Sequence, residues 1–377
     1  MSGCGGGGGA TTPAAPPPVG TPPPPPPPVS NAPATGLLRD TFRNNFQVGT
    51  AITNANAQSS SASADLAVDQ FGMITPEYEL KLNNIAPNEG SLDFAEADDL
   101  VDWAIGNNMT VRGHALVWHA ATPDYFLQGS PADIRLRLED YIAAVMDHFR
   151  GRITIWDVAN EVVSVDLYRG DEGIGPDRRS NWFEAVGNAD YLDWAFRAAR
   201  AADPTAQLFL SEYETENAFK RRWVIEILQR FADRGVPIDG VGHQFHLNLD
   251  TDPALALAAI DDVDNQFMGL VNHITELDLS FYRDPGTCWE SETNCIADIG
   301  PTAPDGMLAT QAQILRDLFT GFVQRSSVDV VNFWGVKDDD SWLNDVPVER
   351  YNYPLLFDRG GDPKPAFLAI TDPSYVI

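Results

Sequence analysis

Positive charge is scarce in this chain, and lysine is its rarest form. Against 54 acidic residues stand 25 lysines and arginines, giving a net charge of −29. Only Lys81, Lys220, Lys337 and Lys364 are lysines. A chain so acidic repels polyanions, which argues against nucleic acid and anionic membrane surfaces as partners. It suits a secreted protein, or one adapted to salty water. No stretch of 18 apolar residues occurs, so no membrane-spanning helix is expected. No glycine-rich phosphate loop follows the first apolar run, which removes the simplest nucleotide-binding reading. Histidine is also sparse, at six. His114, His119 and His246 are the metal-ligand candidates, but no HExxH or other tight ligand spacing joins them. Neither a metal nor another cofactor is therefore expected.

The first 35 residues carry no charge at all and are mostly Gly, Pro, Ala and Thr. Gly5 to Gly9 is a flexible run, and Pro22 to Pro28 favours a polyproline II rod of roughly 20 Å. Nothing there can bury a core, so residues 1–35 read as a disordered tether and 36–377 as the globular domain. Cysteine is limited to three residues. Cys288 and Cys295 flank a six-residue polar loop and would close a small ring in an oxidising compartment; otherwise they are two free thiols. The third, Cys4, stands in Met1-Ser-Gly-Cys4, which resembles the end of a bacterial lipoprotein cleavage box. That resemblance makes Cys4 a lipidation candidate and predicts a secreted, periplasmic or outer-surface protein with a lipid anchor. An arbitrary leading segment is the plainer alternative. A monomer is expected.

What the chain does have is alternation. Short apolar runs near Gln47–Ile52, Gly72–Thr75, Thr110–Val117, Ile153–Val158, Leu208–Ser211, Gly240–Gln244, His273–Leu277 and Val328–Phe333 predict strands. Amphipathic stretches at Leu92–Gly106, Ala132–Phe149, Tyr191–Ala202, Asn217–Gly235, Pro253–Phe267 and Met307–Gln324 predict helices between them. This pattern argues for an α/β fold closed into a (β/α)8 TIM barrel. In such a barrel the residues just after each strand converge on one rim. Reading them off gives Glu77 and Lys81, then His114, Trp118 and His119, then Asn160 and Glu161. Glu212 and Tyr213, Gln244 and His246, Glu276, Trp334 and Trp342 complete the set.

Two of these carboxylates close apolar strands, Glu161 and Glu276. A pair of carboxyls on one rim can act as acid/base and nucleophile on an acetal. Trp118, Trp334 and Trp342 sit in loop-like text beside Gly and Asp. Flat apolar faces at a polar mouth suit stacking on sugar rings.

The segments Gly113-His114-Ala-Leu-Val-Trp118-His119, Trp156-Asp-Val-Ala-Asn160-Glu161, Gly240-Val-Gly-His-Gln244-Phe-His246-Leu, Ile274-Thr-Glu276-Leu-Asp278 and Phe333-Trp334-Gly335-Val-Lys-Asp338 with Ser341-Trp342 resemble glycoside hydrolase family 10. The resemblance runs in order from about residue 40 to 370. It implies an endo-β-1,4-xylanase that cleaves xylan and xylooligosaccharides with retention, Glu161 being the acid/base and Glu276 the nucleophile. It further implies that Lys81, His114, Trp118, Asn160, Gln244, His246, Trp334 and Trp342 line sugar subsites, with Glu77, Tyr78 and Tyr213 beside them. His246 and Gln244 are expected to hold Glu276 as the anion. The chain departs from the family pattern at Tyr78, where an Asn would hold a glycone sugar, at Leu82 in place of Trp, and at Ser211-Glu212-Tyr213-Glu214 in place of Asn-Asp-Tyr-Asn. A β-1,4-glucanase or mannanase on the same barrel, or a non-catalytic polysaccharide-binding protein, is the alternative.

Overall fold

The computed structural model describes residues 36–59, 62–164 and 175–377. Cys4 and the 1–35 tether lie outside the described residues.

Eight strands run β1 (Gln47–Ile52), β2 (Met73–Pro76), β3 (Thr110–Trp118), β4 (Ile155–Asn160), β5 (Gln207–Glu212), β6 (Gly240–His243), β7 (Val271–Ser280) and β8 (Val328–Phe333). Every pairing is parallel, and they pass in order from β6 back to β1, then to β8 and β7. A β6–β7 pairing, with Gly240 opposite Val271, closes the barrel. Strands buried on both faces have little use for polar alternation, and β1 and β2 are buried along almost their whole length.

The helices between the strands form the outer layer: α1 (Ala62–Gln70), α2 (Ala95–Gly106), α3 (Pro131–His148), α4 (Asp190–Ala202), α5 (Ala218–Arg234), α6 (Pro253–Gln266), α7 (Asp305–Val323) and α8 (Pro365–Thr371). Their ends follow local chemistry. Ser130 and Asp133 form a reciprocal capping box in front of α3, with Pro131 in its first turn. Asp252 caps α6 from the residue before Pro253. Gly235 ends α5 at φ 60°, a left-handed conformation that costs glycine nothing. On β3, a side chain at Gly113 would strike the Trp156 ring at 2.1 Å, so glycine lets that indole fill the layer between β3 and β4.

The barrel interior is not purely apolar. Arg112 on β3 donates from Nε to Asp157 Oδ2 at 2.9 Å and pairs with His273 Nδ1 at 2.8 Å, while His114 Nδ1 meets the same Asp157 oxygen at 3.0 Å. Burial opposes ionisation of Asp157, but Arg112 and His114 outweigh it and hold the carboxyl down at about 2. His273, stacked on Phe209 at 4.1 Å, is kept neutral by burial and by the neighbouring guanidinium.

The four lysines are all buried. Lys220 pairs with Glu212 at 2.8 Å, Lys337 with Asp339 and Asp340 at 3.3 Å, and Lys364 with Asp338 at 3.0 Å. Lys364 also donates to the carbonyls of Tyr353 and Leu355 at 2.7 and 2.8 Å. Lys81 lies in the cleft described below. The cations on the described surface are therefore arginines.

Candidate active site

The carboxyl ends of the strands meet at one rim, where a cavity of about 530 Å³ opens between Trp118, Glu161, Arg178, Tyr213, His246 and Trp342. Three non-glycine residues at this rim have left-handed backbones: Glu161 at φ 57°, Glu214 at 54° and Phe245 at 53°. Such conformations cost free energy and persist where surrounding structure enforces them. Glu161 comes immediately after the last residue of β4, and its amide donates to the Ser211 carbonyl at 3.0 Å. Phe245 interrupts β6, and the chain then resumes at His246–Asn248 against the far end of β7.

That resumed pairing explains one difference from the sequence expectation. β7 continues through Ser280, so Glu276 stands within the strand and not at its end. It is 5% exposed. His246 Nε2 lies 3.2 Å from Glu276 Oε2, and its Nδ1 lies 2.9 Å from Asp278 Oδ2. Burial works against charge on this imidazole, but Asp278 and Glu276 prevail and push it up to about 10. The imidazole of His246 is thus biased toward its cationic form where it bridges Glu276 and Asp278. The other carboxylate oxygen of Glu276, Oε1, accepts no hydrogen bond among the described residues.

Gln244 behaves differently from its expected part. Its side chain donates to Asn160 Oδ1 at 3.0 Å. Only its backbone carbonyl reaches Glu276, through the amide at 3.1 Å. Gln244 therefore orients the amide of Asn160, and His246 supplies the support for Glu276.

On Glu161, the indole Nε1–H of Trp118 donates to Oε2 at 2.8 Å. Lys81 lies between the two halves of the site. Its ammonium is 4.8 Å from the Trp118 ring centroid and 4.6 Å from that of Tyr78. Burial lowers the Lys81 pKa, opposed by the charges of Glu276, Glu77 and Glu161. Tyr78 is 48% exposed at the cleft edge. Its hydroxyl bonds the Glu77 carboxylate, whose pKa burial raises. Leu82, at the position of the missing Trp, is packed in the core.

The remaining expected residues are brought to the same rim. Trp334 stands between His114 and His246, with ring centroids at 5.3 and 6.4 Å. Trp342 packs on His246 at 5.2 Å. Tyr213 accepts a hydrogen bond from Arg178 through its hydroxyl, and Lys220 sits over its ring. His119 is set on a short turn after β3, bordering the cavity. No group of three or more His, Cys, Asp or Glu side chains among the described residues is arranged to hold a metal ion.

Four further residues contribute to the site without standing among the strand-end residues. Asp278 and Asp157 hold His246 and His114, and both lie two residues or three from a rim residue inside the quoted segments. Arg178 precedes a helix with no periodic signal of its own. The fourth feature, Trp289, is on the turn closed by the Cys288–Cys295 disulfide, which is formed; an aromatic beside a cysteine was the available sign.

The model of Glycosyl hydrolase family 10 matches residues 37–373. A thermostable celloxylanase of Thermoclostridium stercorarium is 36% identical over 358 residues, covering 89% of this chain and 87% of that protein. A beta-1,4-xylanase of Dictyoglomus thermophilum is 34% identical over 337 residues, covering 88% and 90%. Three longer relatives are spanned only in part, to 28%, 48% and 30% of their lengths. Among solved structures, xylanase B from Clostridium stercorarium F9 superposes with a TM-score of 0.80 at 35% identity, covering 89% of this chain and 99% of that one. A closed parallel barrel, a rim carrying two glutamates and these matches along nearly the whole chain lead to one assignment: the chain belongs to glycosyl hydrolase family 10.

Proposed function

We propose that the protein is an endo-β-1,4-xylanase, hydrolysing internal bonds of xylan and xylooligosaccharides with retention of configuration. The observation that carries this reading is the His246 bridge between Glu276 and Asp278. His246, itself anchored by Asp278, holds one oxygen of Glu276 and so fixes the orientation of the side chain that attacks the anomeric carbon in a double displacement.

Glu161 is the acid/base in this scheme. It gives its proton to the departing glycosidic oxygen as Glu276 bonds the sugar. Once the glycosyl-enzyme has formed, the Glu276 charge is consumed, and Glu161, now the carboxylate, takes a proton from water as that water attacks. Asn160, oriented by Gln244, is placed to bond the sugar 2-hydroxyl, a contact that strengthens at the transition state. Trp334 and Trp342 supply flat faces for sugar rings.

The test is release of reducing ends from xylan. Glu276→Ala should abolish it while the protein stays folded, and near-native turnover in that variant would sink the assignment. Glu161→Ala should lose far more activity on xylan than on aryl glycosides with good leaving groups, which need little acid assistance. Equal losses on both would remove Glu161 from the acid role.

One relative is named a celloxylanase, so β-1,4-glucan is the second substrate to assay. An exported site of action fits the Cys288–Cys295 bond. Lipidation of Cys4 would be tested by whether Cys4→Ser moves the protein from membrane to soluble fractions.

A further inference from the structure

After β7 the chain forms a short helix, Gly286–Ser291, inside a turn closed by the Cys288–Cys295 disulfide. Further bonds tie it down. Thr287 Oγ1 donates to the Thr293 carbonyl at 3.1 Å, and Ser291 Oγ to the Thr287 carbonyl at 3.0 Å. Asp284, just before the turn, accepts from the Ile296 amide at 2.9 Å and forms a buried ion pair with Arg350. This turn presents Trp289 to the cleft, its ring centroid 6.0 Å from that of Trp342 at an interplanar angle of 45°.

Trp289 borders two spaces at once. One is the cavity that holds Glu161, Arg178 and Tyr213. The other, of about 220 Å³, is lined by Glu214, Glu216, Asn217 and Asn248 and shares His246 and Trp342 with the first. Neither space is bordered by Glu77, Tyr78 or Lys81. Both therefore lie away from the end of β2, where the family resemblance puts the glycone sugars, and on the side that the xylanase reading gives to the leaving group. The second space is rich in hydrogen-bonding groups. Glu214 and Glu216 bring carboxyl groups to its wall, and Asn217 and Asn248 bring amides. An aromatic face beside acceptors and amides is the chemistry that holds a pyranose ring, the face covering its C–H groups and the polar groups its hydroxyls.

We propose that Trp289, fixed on the disulfide-closed turn, is the platform for the leaving-group sugars of the xylan chain, with the Glu214–Asn217 segment holding the hydroxyls of the sugar beyond. The proposal rests on the xylanase reading. Because the turn is cross-linked and tied to Arg350, the indole is held in place before substrate arrives, and little side-chain freedom is lost on binding.

The experiment compares wild type with Trp289→Ala and Trp289→Phe on xylohexaose and on an aryl β-xylobioside, whose leaving group contains no sugar. Trp289→Ala should lower kcat/KM for xylohexaose by about three- to tenfold, the worth of one stacked aromatic face, mainly through KM. The aryl substrate should be cleaved as by wild type, and Trp289→Phe should recover most of the loss. Equal losses on the two substrates would mean that Trp289 acts through Trp342 or the fold, and would overturn the proposal. An unchanged xylohexaose constant would overturn it as well. If the wild type itself leaves xylohexaose intact while cleaving another β-glycan, the xylanase reading fails first and this proposal with it.

Discussion

Trp342 donates from Nε1 to Asp278 Oδ2 at 2.9 Å, and His246 Nδ1 meets that same oxygen at 2.9 Å. One carboxylate oxygen thus fixes both a cleft-lining indole and the imidazole that bonds Glu276. Asp278 is itself buried, so its charge is little screened by water.

The first prediction concerns the alkaline side of the pH profile. His246 has its pKa raised from 6.5 to about 10. A raised folded-state pKa means that the stabilisation is complete below 6.5 and is lost as pH climbs through about 10. In Asp278→Asn the cation loses its main partner, so the pKa of His246 should fall. The alkaline limb of kcat/KM should then move to lower pH, and alkaline unfolding should begin earlier. An alkaline limb that stays in place would show that His246 charge does not support catalysis.

The second lies beneath the rim. Asp157 binds both Arg112 and His114 inside the barrel. Removing one partner strands the other charge away from water, so Asp157→Asn should cost about 3–5 kcal/mol. Urea unfolding followed by tryptophan fluorescence measures it; a loss below about 1 kcal/mol would contradict the buried-pair argument. The acid dependence has a definite sign. With the carboxyl held down to about 2 from 3.8, its contribution is present above 3.8 and disappears as pH falls through about 2.

The third concerns the glycone side. Tyr78 stacks its ring on the Lys81 ammonium and bonds Glu77, where the family's Asn would bond a sugar hydroxyl directly. A ring that reaches further and carries one hydroxyl is expected to reshape that subsite or partly block it. Tyr78→Asn should lower KM for xylotriose and alter the ratio of products. Chromatography of the products decides it: an unchanged ratio would mean that Tyr78 does not touch substrate.

The barrel was legible because its strands are near-continuous β-branched and apolar runs. The expected bounds of β1 and β8 agree with the structure. Helix α1 escaped notice because its buried face is built from Ser63, Ala64 and Ala67, residues too small to mark an apolar stripe. Helix α8 was masked by Pro363 and Pro365, which read as a loop although Pro365 fits the first turn of a helix. The rim residues could be read off from strand ends, but their partners could not. Gln244 bonding Asn160, and Trp342 bonding Asp278, depend on the kink at Phe245 and on register across the barrel. A linear pattern does not encode which side chain meets which. Trp289 was hidden for the same reason, since only the folded turn carries it to the cleft.

The burial of all four lysines has a consequence for an enzyme that works in its own products. Every bond hydrolysed releases a reducing end, whose open-chain aldehyde condenses with exposed, unprotonated amines to form Schiff bases. Lys220, Lys337 and Lys364 are enclosed in ion pairs, and Lys81 lies in the cleft. The guanidinium groups that carry the remaining positive charge stay protonated and react far more slowly. Outside the cleft the described surface therefore offers no lysine amine for glycation, and peptide mapping after long incubation in concentrated xylose should find Lys220, Lys337 and Lys364 unmodified.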